Sequence, residues 1–340
     1  MRPTAKDLAK HAGVSLATVD RVLNGRPNVS KKTTLKVEKA IGELNFARNP
    51  SAANLARNRA FRFRFILPLS GDLYLEELLK QVAEAKENLV ADLVIVDEVR
   101  VAVNDPHAVA HYLSKLTSND VDGVAIMAPI SPPVRDAITR LQERGIKLVQ
   151  FLSGQEKLGN SDIVGVDNFA AGATAGRIVG GFLAKRPGKI MIIAETMQAR
   201  DSIERRIGFD RIIYEKFPYL TCLPTLETYS DLDIANRIIN RCFEFNEDIV
   251  AVYVLGSEAR IPISAVSASA DISDLTTVVH ERTPFTEKAL NTEQINAIVC
   301  QNPGHAVRSA IRIMRARSEW REPLASQENI RIEVMFKENL

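Results

Sequence analysis

From residue 61 onward, short runs of β-branched and aliphatic residues alternate with longer amphipathic stretches, and this alternation restricts the fold more than any other feature. Strands are expected at 63–68 (stopping at Pro68), 93–96, 123–127, 147–151, 163–166, 189–194, 251–254, 276–279 and 298–300. Helical periodicity fills 73–87, 107–116, 134–144, 170–184, 202–216, 233–243 and 306–316. Repeated strand–helix units whose strands are apolar on both faces imply parallel sheets covered by helices on each side. The series restarts near Ile163, which predicts two doubly wound lobes in tandem, with a ligand site outside the carboxyl ends of their strands.

The first sixty residues follow a different rule. Thr4 is placed to cap a short helix in which Leu8, Ala9 and Ala12 face inward. Gly13 permits a tight turn, Val14 fills the angle, and Ser15 caps a second helix carrying Val19, Val22 and Leu23 at core spacing. Asn24-Gly25 supplies a left-handed stop. Ser30 caps a third helix, expected to bury Leu35, Val37, Ile41 and Leu44. Together these form a helix-turn-helix on a small three-helix core, the arrangement that lays its second helix in a DNA major groove.

Charge agrees with that reading. Residues 1–64 carry 14 basic and 4 acidic side chains, whereas the rest of the 340-residue chain carries 30 basic and 38 acidic ones. A basic end on an acidic body suits a polyanionic partner. In such a reader Leu16 and Ala17 offer apolar contact to a thymine methyl, and Arg21 can bond guanine bidentately. Thr4, Ser15, Thr18, Asn24, Ser30 and Thr33 are short polar side chains near helix starts, suited to phosphate oxygens as well as to capping.

The block Asp7-Leu8-Ala9, Ala12-Gly13-Val14-Ser15, Ala17-Thr18-Val19, Arg21-Val22-Leu23-Asn24-Gly25 and Val29-Ser30 resembles the headpiece of the lactose-repressor (LacI) family of bacterial regulators. Asp20 departs from the serine usual there. Its carboxylate repels phosphate unless paired with Arg21 or a lysine, or else it accepts from a cytosine amine. The Ala-rich stretch 49–57 is too short to be a stable helix alone in water. The resemblance implies a hinge helix that folds when two copies meet in the minor groove, with Leu55 wedged between base steps and Ala53 beside it. The larger part is similar to the periplasmic sugar-binding fold of the same family, on the marks Gly165-Val166-Asp167-Asn168-Phe169-Ala170-Ala171-Gly172, Arg205-Arg206-Ile207-Gly208-Phe209 and Gln301-Asn302-Pro303. The implied fold is an all-α helix-turn-helix headpiece joined to two doubly wound α/β lobes. The expected organisation is headpiece 1–48, hinge 49–60 and effector-binding, dimerising domain 61–340. Within that domain the first lobe takes 61–156 plus 302–320, and the second 157–301 plus 321–340.

Candidate ligand residues stand after strand ends: Ser70, Asp72 and Tyr74, then Phe151 and Ser153, then Asp167, Glu258, His280, Glu281 and Gln301. Arg205 opens the Arg-x-x-Gly element, where the family places an arginine that grips ligand oxygens. Carboxylates, amides and an aromatic suit a polyol, whose hydroxyls both donate and accept. Asp167 serves equally well as the cap of the next helix. Gly154 and Gly256-Ser257-Glu258 depart from the family's usual Asn or Asp, so the sequence leaves the ligand's identity open.

Nothing in the chain matches a nucleophile elbow, a Walker loop or a zinc spacing. His107 and His111, four residues apart, lack the glutamate of a metalloprotease and read as an exposed helix face. Cys222, Cys242 and Cys300 are scattered, as reduced core thiols would be. No apolar run approaches the length of a membrane helix. The expectation is therefore a cytoplasmic, cofactor-free regulator: a homodimer on near-palindromic double-stranded operator DNA, responding to a small carbohydrate that acts as inducer or corepressor. Two other classes remain open: a carbohydrate-processing enzyme fused to a DNA-binding domain, and an effector-independent architectural protein.

Overall fold

The computed structural model describes residues 3–23, 29–44, 46, 60–69, 71–103, 105–129, 131–154 and 161–340. Asn24, Ala53, Leu55, Ser70 and all but the last residue of the hinge expected at 49–60 lie outside these. The chain divides into two compact units, one holding residues up to Ala60 with 319–321, the other holding the remainder.

In the first unit, α1 (Ala5–Ala12), α2 (Leu16–Leu23) and α3 (Lys31–Glu43) surround a core of Leu8, Ala9, Val19, Val37 and Ala40. Thr4 and Asp7 form a reciprocal capping box: the Thr4 amide donates to Asp7 Oδ2 at 2.8 Å and the Asp7 amide to Thr4 Oγ1 at 3.3 Å. Two orphan amides of the first turn are thereby satisfied. Gly13 ends α1 in the left-handed region at φ 62°, where a side chain would be strained. His11 on α1 meets Glu43 on α3 at 2.8 Å. Contrary to expectation, Leu35 is 65% exposed, and the buried stripe of α3 is Val37 and Ala40. Small Ala40 lets α3 approach closely, and Leu35 is turned away from that stripe.

The second unit begins with β1 (Phe61–Pro68), followed by α4 (Leu73–Asn88), β2 (Val94–Val101), α5 (Pro106–Lys115), β3 (Gly123–Ile126), α6 (Pro132–Glu143), β4 (Lys147–Phe151) and β5 (Asp162–Val164). These strands make one parallel sheet in the order β2-β1-β3-β4-β5. The change of lobe expected at 157 therefore falls too early: β5 pairs with β4, Gln150 opposite Ile163, and is the fifth strand of the first sheet. Its edge pairing is a non-local choice that so short a strand does not announce.

The chain continues through α7 (Asn168–Phe182), β6 (Gly188–Ala194), α8 (Arg200–Lys216), β7 (Leu220–Glu227), α9 (Leu232–Glu244), β8 (Ile249–Val254), α10 (Arg260–Ser269), β9 (Thr276–His280), α11 (Pro284–Asn291), β10 (Ala297–Cys300), α12 (Pro303–Ser318) and β11 (Glu333–Met335). The second sheet runs β11-β10-β9-β8-β6-β7, parallel except for β11, which is antiparallel to β10. Each sheet is buried on both faces. On the first, α4 and α12 cover one side and α5 and α6 the other. On the second, α7 and α8 cover one side and α9, α10 and α11 the other. Because α12 follows β10 of the second sheet yet packs on the first, the chain passes between lobes more than once. That interleaving brings strand ends from both sheets to one region.

Candidate functional site

The headpiece presents one polar and one apolar surface on α2. Val19 is fully buried, while Leu16, Ala17 and Arg21 are exposed and Thr18 and Asp20 half-buried. Ser15 accepts from the Thr18 amide at 3.1 Å, and Ser30 from the Thr33 amide at 3.2 Å. Thr4, Ser15 and Ser30 thus hold helix starts, leaving exposed hydroxyls beside amide-rich N-termini, where the helix dipole favours an anion. The chemistry of this face is apolar contact flanked by donors and one guanidinium.

The second candidate region lies at the strand ends of the larger unit. Arg205, in the second turn of α8, is 4% exposed. Its Nε donates to Asn168 Oδ1 at 2.9 Å, its Nη1 to the Leu255 carbonyl at 2.9 Å and its Nη2 to Glu281 Oε1 at 3.1 Å. Glu281, itself buried and at φ 62°, stands just past β9. Gln301, just past β10, donates to it through its amide at 3.3 Å and through Nε2 at 3.2 Å, and Gln301 Oε1 accepts from the Val166 amide at 3.3 Å. Burial pushes the Glu281 carboxyl up against the pull of Arg205. Burial also works against the Arg205 charge, but Glu281 and Asp201 outweigh it and hold the guanidinium protonated. Arg205 reaches this place because α7 and α8 cross closely where Gly172 and Gly208 carry no side chain.

Facing this cluster from the first lobe are Asp72 and Tyr74. Asp72 caps α4, Oδ1 accepting from the Leu75 amide at 3.0 Å. Its Oδ2 accepts from Ser257 Oγ, a direct bond between the lobes. Tyr74 is 6% exposed, and its hydroxyl has no hydrogen-bond partner. Burial first, then the charge of Glu281, hold that phenol well above its ordinary pKa, so it stays a neutral donor and acceptor.

The other expected residues divide. Glu258 is mostly buried just before α10, accepting from the Arg260 amide at the helix start at 2.9 Å and lying 3.5 Å from the Arg260 side chain. Burial pushes its carboxyl up. Asp167 caps α7, its Oδ1 accepting from the Ala170 amide at 2.9 Å. His280 is buried with Nε2 2.7 Å from the Tyr253 hydroxyl, and burial together with the Arg205 charge holds its imidazole well below 6.5. Phe151 is fully buried in the first lobe's core, edge-on to Phe65 at 5.2 Å, so its ring has no face to offer. Ser153 is half-buried, its amide donating to the Phe151 carbonyl at 2.7 Å. Asp72, Tyr74, Arg205, Glu281 and Gln301 are therefore gathered in one region. Asn168 and Ser257, which stand at strand ends beside Asp167 and Glu258, join it.

The larger unit matches the periplasmic binding protein domain over residues 63–319. The chain belongs to that family. Its residues 4–49 match the bacterial regulatory proteins of the lacI family, so a LacI-type headpiece is joined here to a periplasmic-binding-protein domain. Among curated relatives, the HTH-type transcriptional regulator DegA of Bacillus subtilis is 29% identical over 179 residues, 52% of this chain and 51% of DegA. Catabolite control protein A of Staphylococcus xylosus is 32% identical over 141 residues, 41% of this chain and 42% of the relative. The aligned part thus spans about half the length of these relatives. Among solved structures of this fold, an ABC transporter solute-binding protein from Burkholderia graminis in complex with D-arabinose superposes with a TM-score of 0.73 at 20% identity, over 83% of this chain and 96% of that one. GanP, a glucose-galactose binding protein from Geobacillus stearothermophilus, gives 0.70 at 19% identity, over 83% and 99%.

Among the described residues, no helix is long and apolar enough to cross a membrane, and no group of three or more His, Cys, Asp or Glu is placed to hold a metal ion. Burial pushes the Cys300 thiol up to about 12, so at neutral pH it stays protonated and unreactive.

Proposed function

We propose that this chain is a transcriptional repressor that holds operator DNA through its headpiece and changes that hold when a small carbohydrate binds between the two lobes. The observation that carries the reading is the pairing, in one chain, of a lacI-type headpiece exposing Leu16, Ala17 and Arg21 with a strand-end cluster around Arg205. Leu16 and Ala17 read thymine methyls and Arg21 reads guanine. Thr4, Ser15, Thr18, Ser30 and Thr33 meet phosphates, as does Asn24; Ala53 and Leu55 act in the minor groove, although these three lie outside the described residues. Asp20 sits beside Arg21 and tunes which base is accepted.

In the larger unit, Asp72, Tyr74, Arg205, Glu281 and Gln301 meet the ligand, with Ser70 and Ser153 at its margin. Glu258 also meets the ligand, while Asp167 and His280 hold the frame. The chain acts as a cytoplasmic homodimer on a near-palindromic site, because a twofold dimer favours a twofold sequence. It acts by binding and performs no catalysis. A ligand that binds the DNA-incompetent form better acts as an inducer.

Selection of duplexes from a random pool by the full-length chain tests this reading. Enrichment of one sequence with twofold character is the expected result. Retention of random duplex with no enrichment, with and without a panel of sugars, contradicts it.

A further inference from the structure

The strand-end region is unbalanced in charge. Arg205 has spent Nε, Nη1 and Nη2 on protein acceptors, and Glu281 neutralises it. Asp72 comes from the first lobe and Glu258 from the second, on either side of the Ser257–Asp72 bond. The two carboxylates are close enough that the charge of Asp72 helps raise Glu258. The cation beside them, Arg260, touches Glu258 only at 3.5 Å and has a 53% exposed side chain. Glu258 Oε2 is thus weakly held, while Oε1 is fully used on the amides at the start of α10. Arg260 offsets one of the two carboxylates, so the pair keeps a net negative charge that favours a cation over an anion.

Tyr74 supplies an independent sign that a ligand completes the region. A shielded phenol without a partner is a costly arrangement in a folded protein. Its hydroxyl is unpartnered, and the charges of Glu281, Arg205 and Asp72 all bear on it.

We propose that the effector is an amine-bearing polyhydroxy compound of the amino-sugar class, its ammonium held between Asp72 and Glu258 and one of its hydroxyls bonded to Tyr74. This rests on the carbohydrate reading above and sharpens it. The ammonium matches the two neighbouring carboxylates, and the hydroxyl satisfies the phenol. Entry displaces Ser257 from Asp72, so the ligand replaces a bond between the lobes with bonds of its own. Phosphorylated sugars and sugar acids are disfavoured by the same net charge.

Thermal melting of the full-length chain tests this with matched probes: glucosamine, glucose, N-acetylglucosamine and glucose 6-phosphate, and the corresponding galactose set, each at tens of millimolar. A compound that binds only the folded state raises Tm. The expected result is a clear rise with at least one amine, little or none with its neutral and phosphorylated counterparts, and a loss of that rise in Glu258→Gln and Tyr74→Phe. Both variants keep the packing and the Oε1 bonds, so their own melting reports folding. A rise with neutral sugars equal to that with amines overturns the amine preference and leaves the carbohydrate reading standing. So does an amine effect that survives in Glu258→Gln. No rise with any probe overturns the amine proposal, while the duplex selection above judges DNA binding separately.

Discussion

The carbonyl oxygen of Arg205 occupies the position that a Cβ on Gly172 would require. Gly208 makes the reciprocal approach to the Phe169 carbonyl, so α7 and α8 cross nearly backbone to backbone. This crossing puts Arg205 within reach of Asn168 at the start of α7 and of Glu281 beyond β9.

Gly172→Ala forces the two helices apart. Overpacking of this kind costs about 1–3 kcal/mol, and the displaced guanidinium loses its alignment with Glu281. Chemical denaturation should show the lost stability, and ligand-dependent Tm shifts should vanish while duplex binding by the headpiece persists. Wild-type ligand response in the variant would mean that the crossing does not position Arg205.

Arg205 and Glu281 behave as a buried pair. Removing one partner strands the other charge and costs about 3–5 kcal/mol. Arg205→Ala and Glu281→Ala should each be destabilised on that scale. An apolar double replacement, Arg205→Met with Glu281→Leu, should recover much of the loss by removing both charges together. A double variant as unstable as the sum of the singles would show that the two side chains act independently.

Stability should depend on pH through His280. The fold holds this imidazole neutral well below its ordinary 6.5. Below pH 6.5 the unfolded chain takes up the proton first, so its contribution is complete above 6.5 and is lost as pH falls. The slope for a single such group is about 1.4 kcal/mol per pH unit. Denaturation at several pH values should show it, and His280→Gln, which cannot titrate, should flatten it. An unchanged slope in the variant would assign the effect to another group.

Arg21→Ala should weaken binding to the selected duplex by about 1–3 kcal/mol and relax preference at one position, as for a lost bidentate contact to guanine. Repeating the selection with the variant measures this directly. Uniform weakening with unchanged preference would place Arg21 on phosphate instead.

Much of this was legible because the signals are local. Thr4 with Asp7, Ser15 with Thr18 and Asp167 with Ala170 are caps whose partners lie within three residues. The strand-end rule pointed to Asp72, Glu281 and Gln301 because connection points of parallel strands converge, whereas Arg205 came from the resemblance of its Arg-x-x-Gly element. What failed depended on distant neighbours. β5 joined the first sheet because β4 offers it an edge. β7 went unrecognised because Pro224 interrupts its pattern, at the place where the register with β6 shifts between Ile190 and Ile192. Phe151 follows the same strand-end rule as Asp72, yet the alternation of β4 turns its ring into the core against Phe65. The pairing of Ser257 with Asp72 gave no cue, since the two lie 185 residues apart.

The central claim is that occupancy at the lobes changes the grip of the headpiece on DNA. It is tested most directly by fluorescence anisotropy of the full-length chain on its selected duplex at one fixed salt concentration, with and without a compound that raises its Tm. The account predicts that the binding midpoint moves by about 5–150-fold, the usual range of coupling between sites. Superimposable curves, with the compound demonstrably bound, would contradict it.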